Sequence, residues 1–337
     1  MLIQSAKYFY LLLLLPLICN SCIEPAIDSP YPALSFSKIT SLPGNGRASA
    51  VSFVIEGKGY VALGRNANGV ALNDCWQYDP GSDTWTQKAS LPDSSRVKAV
   101  AAVVNGKAYV GLGCYFGWYN NMDNSFVMLT DFWMYDPKTD NWTKKASLPS
   151  LATDACISYV IGNDIYIGGG YNERGFPNEV WKYNTITDKW VQMNRLPSYY
   201  RGVSVACGDS LHVFFGTGFR NNNSKSPNDW WEYNANSDTW IQKESMPDKG
   251  RGSAVAFTIN NRYFVSTGRH YGGTLTGGFL YSDILEYDVI RNCWYHRGDI
   301  PNGGRENAIS FTINGVGYIG LGENNSRVLN DLWKFNP

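Results

Sequence analysis

The chain carries only three histidines, no Cys-x-x-Cys pair beyond Cys19 and Cys22, and no run of basic residues. The first two scarcities leave too few ligands for a multi-histidine or zinc-ribbon site, so neither a bound metal nor another cofactor is expected. Twenty-nine basic side chains offset twenty-nine acidic ones, which builds no phosphate-tracking surface and excludes nucleic acid as a partner. Cysteine is used without pattern: beyond Cys19 and Cys22 an odd number remains at irregular spacings, which argues against a disulfide framework. Long apolar runs are missing too, with one exception near the start. Lys7 precedes an apolar stretch from Tyr8 to Ile18. It is shorter than the ~20 residues of a spanning helix and has the form of a signal-peptide core.

Small Ser21 stands directly before Cys22, as cleavage by a lipoprotein signal peptidase requires, while Cys19 follows the bulky Ile18. The stretch resembles a loose bacterial lipobox, with Cys19 in place of the usual aliphatic residue. That implies a signal peptide over 1–21 and a lipid on Cys22 of an exported protein, anchored at the outer membrane and facing the periplasm or the surface. An uncleaved anchor and an ordinary secretory signal are the alternatives. From Ile23 to Pro32 three prolines and no apolar periodicity describe an extended tether, set at 22–33.

The rest, 34–337, is one unit repeated. An apolar residue followed by proline recurs roughly every 50 residues, at Leu42-Pro43, Leu91-Pro92, Leu148-Pro149, Leu196-Pro197, Met246-Pro247 and Ile300-Pro301. Six residues before each apolar member sits an aromatic: Phe36, Trp85, Trp142, Trp190, Trp240 and Trp294. Phe36 marks an outer strand whose blade is otherwise missing from the N-terminus, and Ile300 to Pro337 supplies three strands without an outer one. The strand over 34–39 is therefore predicted to complete the last of six blades, closing the ring and removing its exposed edges.

Within each unit the innermost strand is expected to open at Arg47, Arg96, Thr153, Arg201, Arg251 or Arg305. Three and five residues on, every side chain is small, as at Ala50 and Ser52 or Ala308 and Ser310, with β-branched Val51 or Ile309 between them. Such alternation is a strand, small on the face where six strands crowd an axis. The second strand ends at Gly64, Gly113, Gly170, Gly218, Gly268 or Gly322, and the third carries Trp-x-Tyr, as at Trp76 and Tyr78.

These terminal glycines, the aromatic before Leu-Pro and Asn-Asp-x-Trp-x-Tyr-Asp resemble the kelch family over residues 36 to 337. Where that family has a double glycine this chain mostly has Gly-x-Gly, as at Gly111 and Gly113, a spacing similar to a bacterial lipoprotein branch. The resemblance implies an all-β, six-bladed kelch-type β-propeller of four-stranded blades. It leaves function open, because kelch propellers include sugar enzymes, oxidases and protein-binding modules.

In such a propeller the loops after the second strand and those leading into the innermost strand open on one face, and a ligand is expected at its axis. Arg47, Arg96, Arg201, Arg251 and Arg305 either form an anion-attracting funnel there or serve the framework by bonding neighbouring blades. Two long loops, Cys114 to Leu129 and Arg269 to Tyr281, contribute Trp118, Tyr119, Arg269 and Tyr271, and Tyr200 borders the same mouth. Aromatics so placed can stack on sugar rings or anchor a peptide. Glu306 and Glu323 are the candidates for acid/base chemistry near Arg269, since sugar-ring opening needs a proton acceptor, a donor and a cation for a substrate carboxylate. The expectation is a monomeric, lipid-anchored propeller that binds an anionic or carbohydrate ligand, or a protein partner, on its loop face. The alternative is a mutarotase or epimerase, because six-bladed kelch enzymes that interconvert the anomers of N-acetylneuraminate are similar in size and export.

Overall fold

The computed structural model describes residues 27–119, 123–197, 204–219, 226–272 and 277–337, with the backbone alone at 27–28, 116–119 and 123–126. Cys22, Tyr200 and Arg201 lie outside the described residues. Six sheets follow one another along the chain, each ordered from an inner to an outer strand. Blade one comprises Val51–Ile55, Lys58–Ala62, Cys75–Asp79 and Thr84–Lys88, and blades two to five repeat the plan from Val100, Ile157, Val205 and Val255. Blade six takes Ile309–Ile313, Val316–Gly320 and Leu332–Asn336 from one end of the chain and Ser35–Ile39 from the other. Phe36 lies opposite Phe335 in that pairing, with ring centroids 5.3 Å apart. The predicted closure is thus the observed one.

Alternation along the inner strands sorts side chains between neighbours. Val51, Phe53 and Ile55 pack into one cluster with Ala108, Val110 and Trp133 of blade two, while Ala50 and Val54 face blade six. The small face is needed because inner strands converge: Ser52 Oγ donates to the Ser310 carbonyl at 2.8 Å and Ser158 Oγ to that of Ala101 at 3.0 Å. Gly64, at φ +85°, shows the same crowding, since a Cβ there would stand 2.6 Å from the Ala48 oxygen.

The inner strands begin at Val51 and its equivalents, not at the arginines four residues earlier. A left-handed kink intervenes. Ser49, Lys98, Ala155, Ser253 and Asn307 all have φ of 53° or 54°, a conformation that costs a non-glycine residue roughly 1–2 kcal/mol. The kink is held because it joins neighbouring inner strands in a belt, described over blades five, six, one, two and three: the N–H of Asn307 donates to Ser253, Ser49 to Asn307, Lys98 to Ser49 and Ala155 to Lys98, at 3.0–3.1 Å. At the rim, turns reach across to the preceding blade. Asp140 accepts the N–H of Ala89, Asp188 that of Ala146, Asp238 that of Asn194 and Asn292 that of Glu244.

Blade five has a fifth strand. Ile27–Asp28, within the expected tether, pairs in parallel with Cys293–Asp299, Ile27 opposite Tyr295. The following residues stay on the blade: Arg297 donates to the Pro32 carbonyl at 3.1 Å, and Tyr31 lies over the Arg262 and Arg297 guanidiniums at 4.4 and 5.2 Å. Proline content pointed to an extended backbone, and extended it is, but docked on an open strand edge rather than free.

Candidate functional site

Four of the five candidate arginines belong to the frame. Arg47, Arg96, Arg251 and Arg305 are buried, and each grips an aspartate of its own blade with both terminal nitrogens: Asp74 at 2.6 and 2.7 Å, Asp131 at 2.6 and 2.7 Å, Asp283 at 2.7 and 2.8 Å, Asp331 at 2.7 and 3.0 Å. The same aspartates, Asp283 apart, accept the indole N–H of Trp76, Trp133 and Trp333. Arg251 also stacks on Tyr281 at 3.9 Å and pairs with Asp248. Burial alone would raise the Asp331 carboxyl, but the Arg305 guanidinium outweighs it and holds the group at about 2. An anion funnel from these residues is therefore ruled out. Their side chains tie the second and third strands within one blade rather than reaching the next.

The mouth is lined by the residues immediately after these positions. In five blades the residue following the terminal glycine bridges the residue at the start of the kink: Ala48 with Arg65, Val97 with Cys114, Asp154 with Tyr171, Gly252 with Arg269 and Glu306 with Glu323. Glu306 and Glu323 exchange both backbone hydrogen bonds, at 2.9 and 3.0 Å, so their side chains rise from the same face of the bridge. Arg269 Nε donates to Glu306 Oε1 at 2.8 Å and Nη2 to Asn325 Oδ1 at 2.8 Å. Tyr271 Oη donates to Glu306 Oε2 at 3.3 Å and lies 3.1 Å from Ser253 Oγ. Glu323 is held by Arg65 and by Asn307 Nδ2, the latter at 2.8 Å. The outcome is a charged row across blades five, six and one, in which Arg269 and Arg65 flank the two carboxylates of Glu306 and Glu323.

Burial pushes the Glu306 carboxyl upward; Arg269 pulls it back, and the neighbouring Glu323 charge adds to the rise. Burial, with the Glu306 charge behind it, takes the Tyr271 hydroxyl up to about 12. Tyr271 also begins an aromatic arc. Its ring centroid is 5.2 Å from Phe219, which is 6.0 Å from Phe176, which is 5.2 Å from Tyr171. The arc runs over blades five, four and three, opposite in character to the charged row. Between the two, Asp154 accepts from Cys114 at 3.1 Å and lies 3.8 Å from Lys98; burial and the Asp154 charge raise the Cys114 thiol to about 12, which leaves it inert.

Of the residues singled out from sequence, Arg269, Tyr271, Glu306 and Glu323 come together. Trp118 and Tyr119 fall on a hairpin, Cys114–Tyr119 with Asp123–Met128, within the long loop of blade two. Arg65, Tyr171 and Phe219 were missed, although each follows a terminal glycine exactly as Arg269 and Glu323 do.

Residues 156–337 match the KLHDC2/KLHL20/DRC7 Kelch-repeats domain, and residues 46–92 match the Kelch motif. No curated protein matches the chain. Among solved structures, that of YjhT is similar, with a TM-score of 0.75 and 17% identity over 87% of this chain and 95% of that one. At that identity the likeness speaks to the fold alone. With more than half of its length matched by a kelch-repeat domain, and with six blades of one plan, the chain belongs to the Kelch-repeat family of β-propellers.

Proposed function

We propose that the axial mouth binds a small carbohydrate-like or anionic ligand. The observation that carries this reading is the pairing of two walls: the row Arg269, Glu306, Glu323 and Arg65 on one side and the arc Tyr271, Phe219, Phe176 and Tyr171 on the other. Carboxylate and guanidinium groups hydrogen-bond hydroxyls and carboxylates with fixed geometry, and aromatic faces accept the apolar face of a sugar ring. A calorimetric screen of neutral and acidic monosaccharides against the chain from residue 22 tests it. Binding that is lost in Glu323→Gln and Phe219→Ala supports the site, and absence of binding to any member of the screen counts against it.

A second reading, sugar mutarotation or epimerisation, is favoured by the unequal surroundings of the two glutamates. Glu306, with its raised pKa, is suited to donate a proton, and Glu323, between Arg65 and Asn307, to accept one. NMR measurement of the anomerisation rate of a bound sugar separates the readings. General acid/base catalysis requires that Glu306→Gln or Glu323→Gln slow exchange by roughly a hundredfold or more; a pure binding protein leaves the uncatalysed rate unchanged.

We also propose, on the sequence before residue 27, that Cys22 carries a lipid anchor and that the propeller works at a membrane of the cell envelope. Cys22→Ser should then yield soluble protein or uncleaved precursor in fractionated cells. Normal processing with unchanged membrane partitioning would rule the anchor out.

A further inference from the structure

A second concave surface, lined by none of the mouth residues named above, lies where the two ends of the chain meet. Lys38 of the N-terminal strand, Asn45 in the link to blade one, Asn302 in the link to blade six, and Arg327, Asn330 and Asp331 of the last loop line a cleft of about 350 Å³. Asp331 brings no free charge to it. Arg305 takes that carboxylate with two nitrogens, and Trp333 and Asn302 donate to it at 2.8 and 2.9 Å. Lys38 and Arg327 are both exposed, and among the described residues neither forms an ion pair. Blade two gives the contrast: Lys144, opposite Trp133 in register, lies 5.5 Å over that indole. Lys38, opposite Trp333 in the same register, faces the cleft instead. The Arg327 main chain is fixed in a turn by Asn324, whose Oδ1 accepts the N–H groups of Ser326 and Arg327 at 2.9 and 3.0 Å.

Two uncompensated cations and the carboxamides of Asn45 and Asn330 around one cavity suit a compact oxyanion, with charge from the cations and directed N–H donors from the amides. We propose that this latch cleft is a second binding site, separate from the axial mouth, for the carboxylate or phosphate group of a small ligand. Lys38 belongs to the N-terminal strand and the other charged residues to the last blade, so an anion bridging Lys38 and Arg327 binds only the closed ring. Its binding must therefore stabilise that closure by mass action.

The test is a titration of the intact chain with inorganic phosphate and, separately, with glucuronate, at ionic strength held constant by sodium chloride, read by calorimetry and by melting temperature. Either anion should raise the melting temperature above the chloride control; a response to phosphate alone assigns a phosphate site, and one to glucuronate alone an acidic-sugar site. The double variant Lys38→Gln/Arg327→Gln, altered only at exposed side chains, should bind roughly tenfold more weakly or worse. The proposal is overturned if neither anion exceeds the chloride control, or if the double variant, melting normally without ligand, responds as the parent does.

Discussion

Asp83 accepts the backbone N–H of Thr40 at 3.0 Å, so the outer turn of blade one grips the very strand that closes blade six. The same carboxylate accepts from the Tyr78 hydroxyl at 2.7 Å, and Trp85 Nε1 donates to the Thr40 carbonyl at 2.9 Å. This is the clasp found at four other blade interfaces, where Asp140, Asp188, Asp238 and Asn292 stand in place of Asp83. The seam between the chain ends is thus sealed by the ordinary repeat contact as well as by strand pairing. Asp83→Ala should lower the unfolding free energy by about 1–2 kcal/mol in denaturant titrations. Asp83→Asn should cost much less, because Asn292 already performs the same task in blade five. Removing residues up to 39 removes the Phe36 contact and exposes an edge, and should cost on the order of 3–5 kcal/mol.

Arg305→Ala leaves Asp331 buried without its cation, and should destabilise the protein by about 3–5 kcal/mol. Affinity for a ligand at the axial mouth, measured on the folded fraction, should not change. The pH dependence has a definite sign. Asp331 is held at about 2 in the folded chain against ~3.9 unfolded, so its contribution is complete above pH ~4 and is lost as pH falls toward 2. Thermal melts between pH 2 and 5 should show a flatter profile for Asp331→Asn than for the parent.

The blade count, the closing strand and the interblade tryptophans were legible because each recurs in register along the chain. The role of the arginines was legible too, though less directly. Blade three has Thr153 where the others have arginine, and there Glu179 replaces the aspartate that precedes Trp-x-Tyr. Glu179 instead accepts from Ser150 and Trp181. Loss of both partners in the same unit is the signature of a pair, visible only by comparing columns some 30 positions apart rather than residues within one motif. The fifth strand had no sign in the repeat, since Ile27–Asp28 lies outside it. The kink belt had none, since a backbone conformation shared by Ser, Lys, Ala, Ser and Asn leaves no common side chain to read.

Truncation before Leu34 separates the docked segment from the closing strand. It removes Tyr31 from the two guanidiniums and exposes Arg297, which also pairs with Glu286. The expected loss is about 1–2 kcal/mol, from two cation–π contacts and one backbone acceptor. Hydrogen exchange should quicken in Cys293–Asp299 and stay unchanged in Leu332–Asn336.

Ala155 holds the left-handed conformation with neither the freedom of glycine nor the local hydrogen bonds of asparagine. Ala155→Gly should therefore raise stability by roughly 0.5–1 kcal/mol, relief of backbone strain exceeding the added unfolded-state entropy. An unchanged or lower denaturation midpoint would show that the kink is not strained.

The belt that runs through Ser49, Lys98, Ala155, Ser253 and Asn307 is made of main-chain atoms only. The hub of the ring therefore does not depend on which side chains stand there, provided that each tolerates the kink. Those five side chains stand beside the bridges that form the mouth, so substitutions can refit the mouth for a different ligand while the machinery that keeps six sheets in a circle goes untouched. Structural duty and chemical identity are divided between backbone and side chain at the same residues, and the scaffold can change its cargo without renegotiating its architecture.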